Sequence, residues 1–527
     1  MGRKKTIIYI WLLSLLSSLL LSVPFLLPHG GIVAFVALVP LLTAEYLAKE
    51  GKVKFFWVIY YLAFLLFNLF TTYWVYLATM PGAIAAITLN ALQMSVIFAL
   101  FRWIKRNTGT FLSYLFLVVA WLAWEHSYFN WQVSWPWLVL GNSFATSIKL
   151  VQWYEFTGTL GGSLWILLVN ILLFRILMLI YSHKRYLISV SSLAAIIVLP
   201  MLFSAIMYNQ YCKKLSNDKR DSIAFSILQP NIDPYSDKFG GMSQREQTMI
   251  LLSLAEEATA HTITNNTDNC VILAPETFFS PSAEPGTVFY ENEPLMNPSF
   301  GSLYGFLKNK NSSDSSMRQL NYSLITGAVT DKIYTSVLTD SRTGQPEPPS
   351  ETARSYGDGV HWYDRYNAAV FVNQSGKIDY YHKSKLVILA ESTPFTGIFK
   401  PIEKFAIDLG GCVGSFGTQK ERSIFKIGRD SIGIGTAICY ESVYGDFYRD
   451  YILKGAEVMT IITNDGWWGD THGYIQHLHY ASLRAIETRR SIARCANTGI
   501  SAFISERGEI VSATKWWKPA YLNGQLP

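Results

Sequence analysis

Charge and cysteine are both scarce in this chain. Asp, Glu, Lys and Arg make up 16% of its 527 residues, against about 25% in an ordinary soluble domain. The five cysteines, Cys212, Cys270, Cys412, Cys439 and Cys495, are odd in number and scattered. That spacing excludes a disulfide scaffold and a cysteine-rich zinc site, and it leaves at least one thiol free. His472, His477 and His479 lie close together, but no cysteine or carboxylate completes a tetrahedral set, so no metal and no cofactor is expected. The formal charge is +6, yet the basic residues cluster in short loops between apolar runs. That distribution fixes orientation in a membrane and does not hold nucleic acid. The apolar segments also lack the succession of carboxylates that a transporter carries.

What stands in place of charge is apolar length. Half of the residues are hydrophobic, and stretches of about 20 residues, long enough to span a bilayer, run near 7–27, 31–48, 54–79, 82–103, 110–125, 164–182 and 187–208. About seven transmembrane helices are predicted, with residues 1–215 as a membrane domain and 216–527 as a second, unlike domain. The first span follows Arg3, Lys4 and Lys5 but has no small-residue cleavage site, so it reads as an uncleaved helix. Alternate loops carry those residues, then Lys49, Lys52 and Lys54, then Arg102, Lys105 and Arg106, then Lys184 and Arg185, whereas the opposite loops carry only Lys149. The positive-inside rule then places the N-terminus in the cytoplasm and everything after residue 208 outside. The loop from Glu125 to Gly162 holds Trp131, Trp135, Trp137 and Trp153, either as an aromatic belt at the headgroups or as a wall through which a lipid tail passes.

Beyond about Asp221 the pattern changes to short β-branched runs alternating with helical ones. Residues 223–228, 270–274, 322–329, 368–373, 431–438 and 457–463 read as buried strands. Ser243 and Glu246 form a capping box before a helix over 248–259, and the spacing predicts further helices over 443–454 and 476–494. Such alternation suggests layered sheets covered by helices. Asn309–Gln319 and Thr343–Gly359 read as surface loops or lids.

Three strand ends carry chemistry. Cys439 closes the run from Ser431, and a helix starting after it would favour the thiolate; the alternative is a small buried hydrophobe. Glu276 ends Val271-Ile272-Leu273-Ala274-Pro275, where a carboxylate is either salt-bridged or used as a base. Lys383, in Tyr381-His382-Lys383-Ser384-Lys385-Leu386, is either a solvated charge or the donor to a developing oxyanion.

In this order the motifs resemble the Glu-Lys-Cys triad of the nitrilase superfamily. Together with the preceding spans, Asn464-Asp465-Gly466-Trp467-Trp468-Gly469, Gln476-His477, Arg484-Ala485 and Asn497-Thr498-Gly499, they resemble the apolipoprotein N-acyltransferase family over nearly the whole chain. The resemblance implies an αββα sandwich on the periplasmic face of a bacterial inner membrane. Cys439 would take an acyl chain from the sn-1 position of a phospholipid, phosphatidylethanolamine being the expected donor. The α-amine of a diacylated apolipoprotein would then receive it from a monomeric enzyme. Glu276 would be the base, Lys383 the oxyanion donor, and Glu391, Glu441 and Tyr440 the supporting residues. Phe239, near a usual tryptophan, Trp467, Trp468 and His477 are acyl-pocket or substrate candidates. Leu386-Val387-Ile388-Leu389-Ala390 departs from the family's Pro-Phe-Gly ahead of the glutamate, and a final membrane helix, usual in the family, is not written after Trp516. Two other readings stay open, a membrane-tethered amidase in which water resolves the thioester and a non-catalytic scaffold that binds lipid or lipoprotein.

Overall fold

The computed structural model describes every residue except 1–2, 132–133, 218–221, 239–240, 263–266, 283, 285, 313–319, 335–337, 340–345, 357–360, 389, 393–414 and 429–430. The chain forms two compact units, one of Met1–Asp218 with Asp470–Arg489, the other of Lys219–Gly469 with Arg490–Pro527.

Among the described residues of the first unit, five helical segments are long and apolar enough to cross a membrane: Arg3–Leu26, Gly30–Glu50, Met80–Asn107, Tyr154–Tyr181 and Leu187–Tyr211. Two of the seven predicted spans are helices that fall short of this standard. The 54–79 stretch breaks into Phe56–Thr72 and Val75–Ala78, and its longer part reaches only about 26 Å at 1.5 Å per residue. The break follows Thr71 and Thr72, whose hydroxyls donate back to Phe67 O and Asn68 O at 2.7 Å each and end the apolar run. The 110–125 stretch is the helix Thr110–Tyr128, whose last turns carry the polar Trp124-Glu125-His126-Ser127. Leucines along the first helix, such as Leu12 and Leu19, are about half exposed, as a lipid-facing surface requires. Inside the bundle short polar side chains tie helices together: Asn170 donates to Ala34 O and accepts from Leu38 N, both at 2.8 Å, and Ser18 donates to Ala63 O at 2.8 Å. Without water to compete, such bonds are an effective glue.

The tryptophans of the long loop do not form one belt. Trp131 is exposed, but Trp137 and Trp153 are buried. Trp137 packs against Trp74, Trp135 and Tyr480 at ring separations of 4.9, 5.8 and 5.3 Å. Its indole donates to Gln476 Oε1 at 2.7 Å, while Gln476 Nε2 donates to Phe25 O and Thr71 O. Gln476 lies on the helix His472–Thr488. The predicted extension of that helix to 494 is wrong, because Arg489 turns into the left-handed region at φ 51° and Ile492–Ala496 is a buried strand.

The second unit contains two large sheets. Strands of the first are β1 (Ile223–Gln229), β2 (Asn269–Leu273), β3 (Asn321–Tyr334), β4 (Trp362–Val372) and β5 (Ile378–His382). Those of the second are β6 (Ile424–Ile427), β7 (Ile432–Ile438), β8 (Val458–Thr463), β9 (Ile492–Ala496), β10 (Ala502–Ile504) and β11 (Ile510–Ala513). A last strand, β12 (Ala520–Leu526), returns to pair antiparallel with β1. The first sheet runs β12-β1-β2-β3-β4, with β5 added beside β4, and the second runs in sequence order from β6 to β11. β1, β2 and β3 are parallel neighbours, as are β7, β8 and β9. β1 and β8 are buried along their whole length, which explains their continuous apolar runs.

The sheets pack face to face through pairs such as Phe371 on Phe425, stacked at 4.8 Å, and Phe225 against Phe503. Helices Gln244–Ala260 and Pro298–Ser312 cover the first sheet with Leu251, Ala255, Phe300 and Leu303. Gly445–Leu453 covers the second, with the Tyr451 hydroxyl donating to Thr436 O at 2.9 Å. The capping box of Ser243 and Glu246 is present. Helix, sheet, sheet and helix thus form four layers, an αββα sandwich.

Parallel strands place their C-terminal ends, and hence the residues after β2, β7 and β8, on one edge of each sheet. Close contact at that edge depends on Gly327 in β3: a Cβ there would stand 2.4 Å from Thr277 N and 2.5 Å from Glu276 Cα. Gly327→Ala therefore should push the Pro275-Glu276-Thr277 segment off the strand and destabilise the fold by about 1–3 kcal/mol. The thermal unfolding midpoint of the full chain in detergent should drop; an unchanged midpoint would show that the segment yields freely.

Candidate active site

Pro275 ends the ladder of β2 because it has no N–H to donate, and the chain then turns through Thr277 at φ 47°. A threonine in that region is strained. The turn is held by Gly327 N donating to Pro275 O at 3.1 Å and by Phe279 N donating to Gly327 O at 3.2 Å. Glu276, 5% exposed, is thereby fixed inside. Lys383 arrives from the end of β5, its N–H bonded to Asn367 O at 2.8 Å, and is 1% exposed.

These two side chains meet. Lys383 Nζ donates to Glu276 Oε1 and to Glu391 Oε1, each at 2.9 Å. Asn367 Nδ2, from β4, donates to the same two oxygens at 2.8 Å each. Burial acts to lower the Lys383 pKa, but the charges of Glu276 and Glu391 outweigh it and hold the amine firmly protonated. The second Glu391 oxygen accepts from Val387 N at 2.8 Å, so the sequence departure ahead of Glu391 leaves a loop that still presents this carboxylate to Lys383.

Cys439 lies where β7 ends, 7% exposed and at φ 51°. The chain passes there into a 3-10 turn, Cys439–Val443, and the α-helix Gly445–Leu453 starts only later. The expectation of a thiolate stabilised by a helix start is thus overturned. Burial, then repulsion from Glu276 and Asp465, push the thiol well above its ordinary range, and Lys383 and a hydrogen bond with Thr463 only partly oppose them. Behind the thiol, Thr463 Oγ1 donates to Asp465 Oδ1 at 2.9 Å and Asp465 Oδ2 meets Arg494 at 2.6 Å in a fully buried ion pair. Glu441, also buried, accepts from Ile438 N at 2.9 Å, from Ser384 N at 2.5 Å and from the Tyr381 hydroxyl at 2.9 Å. It thus ties the Cys439 turn to the Lys383 segment, while its own pKa is raised by burial.

The remaining predicted residues divide. Tyr440 is buried with its ring edge-on to Tyr444 at 5.2 Å. Trp467 and Trp468 are half-buried in the turn after β8, where Tyr235 donates to Trp467 O at 2.9 Å. His477 belongs to the helix of the first unit and packs on Trp137 at 5.7 Å. Phe239 lies outside the described residues. Asn367, Thr463, Asp465 and Arg494 were not singled out as site residues from the sequence. Only Asp465 and the polar run after β8 gave a signal, because a charged residue at the end of a fully apolar strand is costly unless paired. Cys270 and Cys495 are buried free thiols of the interior. Among the described residues no group of three or more His, Cys, Asp or Glu side chains is placed to hold a metal ion.

A carboxylate, an ammonium and a neutral thiol in one buried group are equipment for nucleophilic acyl chemistry. Comparison with known proteins agrees. The carbon-nitrogen hydrolase family profile matches residues 349–527, and that of the apolipoprotein N-acyltransferase N-terminal domain matches residues 17–172. The apolipoprotein N-acyltransferase of Chlorobaculum tepidum is 29% identical over 98% of this chain and 90% of its own length. That of Geobacter metallireducens is 24% identical over 77% of this chain and 67% of its own.

This chain belongs to the apolipoprotein N-acyltransferase family.

Among solved structures, an amidase of Nesterenkonia from the nitrilase superfamily aligns with 58% of this chain and 92% of its own at 13% identity and a TM-score of 0.36. The glutamine-dependent NAD+ synthetase of Acinetobacter baumannii aligns with 58% of this chain and 45% of its own at 14% identity and a TM-score of 0.34.

The electrostatics around Cys439 give opposite signs for two substitutions. Glu276 raises the thiol pKa and Lys383 lowers it. Alkylation of Cys439 by iodoacetamide at pH 8 is therefore expected to speed up in Glu276→Gln and to slow down in Lys383→Met, each by roughly tenfold, because the thiolate fraction follows the thiol pKa. Equal rates in both variants and the parent would contradict this arrangement.

Proposed function

We propose that this membrane acyltransferase moves an acyl chain from the sn-1 position of a phospholipid to the N-terminal amine of a diacylglyceryl-cysteine in apolipoproteins. Residues 1–215 serve as the membrane anchor and 216–527 as the catalytic part. The observation that carries the proposal is the buried bridge of Lys383 between Glu276 and Glu391, with the Cys439 thiol under the influence of both Glu276 and Lys383.

In the first half-reaction Glu276 removes the proton from Cys439 Sγ as the sulfur attacks the ester carbonyl. Moving the proton from thiol to carboxylate leaves the net charge of the group unchanged, which suits a thiol whose free ionisation is suppressed by burial. Lys383 donates to the oxyanion. Collapse breaks the ester C–O bond, Glu276 returns its proton to the leaving oxygen, and a lysophospholipid departs from the thioester. In the second half, the lipoprotein amine attacks the thioester and Glu276 accepts its proton, then the C–S bond breaks as the amide forms and Glu276 passes the proton to the departing sulfur, regenerating the thiol. Glu391 and Glu441 hold Lys383 and the nucleophile turn, Tyr440 supports that turn, and Trp467 and Trp468 help to line the acyl pocket and exclude water.

The apolar helices support this reading, because both substrates keep their chains in the bilayer. Lifting a lipid into water would cost about 0.8 kcal/mol per exposed methylene. The basic loops support an N-terminus in the cytoplasm and a catalytic part on the periplasmic side of a bacterial inner membrane. Phosphatidylethanolamine is the proposed donor, and the enzyme acts as a monomer without cofactor.

The test is transfer to a synthetic diacylated lipopeptide in phosphatidylethanolamine vesicles containing the full chain. A peptide heavier by one acyl group is expected with the parent, none with Cys439→Ala, and at least about a hundredfold less with Glu276→Gln. Free fatty acid in place of acylated peptide would establish a hydrolase, and neither product would leave a non-catalytic lipid-binding role.

A further inference from the structure

The group Glu276, Glu391 and Lys383 sets two carboxylates against one ammonium, so it carries an excess of negative charge in a buried place. The other charges that bear on the nucleophile have their own partners. Asp465 is paired with Arg494, and Glu441 takes its hydrogen bonds from backbone N–H groups and Tyr381. An excess anion facing a thiol that must become an anion is an obstacle to acylation, and a second cation would remove it.

Lys238 is such a cation. It is 7% exposed, and its Nζ donates to Thr277 Oγ1 at 2.7 Å, on the residue that follows Glu276. Its backbone is built in: Lys238 N donates to Asp233 O at 2.9 Å, and Lys238 O accepts from the buried Gln247 Nε2 at 3.1 Å, which also donates to Met242 O. Asp233 in turn caps its own loop through Tyr235 N at 2.8 Å. A long amine carried this way into an interior is costly unless a charge awaits it, and the attraction of Glu276 is the opposing influence on an amine that burial lowers to about 8. Thr277 is also the strained residue of the turn, so the same hydrogen bond holds Glu276 in place.

We propose that Lys238 is a positioning residue of this active site, fixing the Glu276-Thr277 turn and offsetting the negative charge that Glu276 sets against the Cys439 thiol. This rests on the reading of Cys439 as nucleophile and Glu276 as base. The charged groups concerned are Glu276 after β2, Lys383 after β5, Glu391 in the following loop, and Asp465 with Arg494 beyond β8 and in β9.

Full-length protein in phosphatidylethanolamine vesicles would be assayed for the rate of acyl mass gain on Cys439, and separately for the pH profile of iodoacetamide alkylation, in the parent, Lys238→Met, Lys238→Arg and Thr277→Val. Lys238→Met is expected to slow acyl-enzyme formation by about tenfold or more and to move the alkylation midpoint up by about one pH unit. Lys238→Arg should restore the parent's profile, and Thr277→Val, which keeps the charge, should slow acylation without the full change in midpoint. A purely structural lysine would lower the unfolding midpoint and leave the alkylation profile where it is, and that result, or parental acylation rates in Lys238→Met, would overturn the proposal. Absence of acyl mass on Cys439 in the parent would instead overturn the reading of the nucleophile on which it rests. Should Lys238→Met not fold, the Thr277→Val rate decides, a parental rate overturning the role of this contact.

Discussion

Everything at the candidate site depends on keeping charge in an interior that disfavours it. Isolated ions in such a place would cost several kcal/mol each. Here one ammonium serves two carboxylates, and Asn367 Nδ2 serves the same two oxygens. The two donors make the geometry rigid: neither Glu276 nor Glu391 can rotate away without abandoning both bonds. Removal of Lys383 leaves two buried carboxylates with no cation between them, so the group depends on that amine as a unit.

The fold supplies that rigidity from strands. Glu276 follows β2, Lys383 follows β5, Asn367 lies in β4 and Cys439 closes β7. Two of the connecting residues, Thr277 and Cys439, adopt left-handed backbone, and such strain persists only where the surroundings enforce it. Gly327 is one enforcing element, since it alone allows the backbone of β3 to approach Glu276. The same burial that makes the ion group stable suppresses the thiolate, which is why the proposed mechanism moves the proton directly to a neighbouring carboxylate and not to solvent.

Much of this was legible in the sequence. Apolar runs bounded by Pro, Gly or Asn marked β1, β2, β3, β7 and β8 to within a few residues, apart from the C-terminal end of β3, and the Ser243–Glu246 capping box marked its helix. The three strand-end motifs pointed to Glu276, Lys383 and Cys439. Other features were hidden because their meaning is not local. Asn367 is one polar residue among many in β4 until the fold brings it beside two carboxylates. Lys238 reads as a loop lysine until its amine is found inside. Residues 489–494 continue a helical pattern, and only the open edge of β8 makes Ile492–Ala496 a strand. The short Phe56–Thr72 helix shows the same limit, since apolar composition does not reveal where Thr71 and Thr72 end a run.

The central claim is that Cys439 carries the acyl chain between a lipid and an amine. Its most direct test is the intact mass of the full chain after mixing with phosphatidylethanolamine, followed over time after a diacylated lipopeptide is added. The account predicts one acyl mass on the protein, labile to hydroxylamine and located at Cys439, which disappears as the same mass appears on the peptide amine. Acylated peptide formed with no acyl mass ever on Cys439, or an acyl mass at Cys439 that the peptide does not discharge, would contradict it.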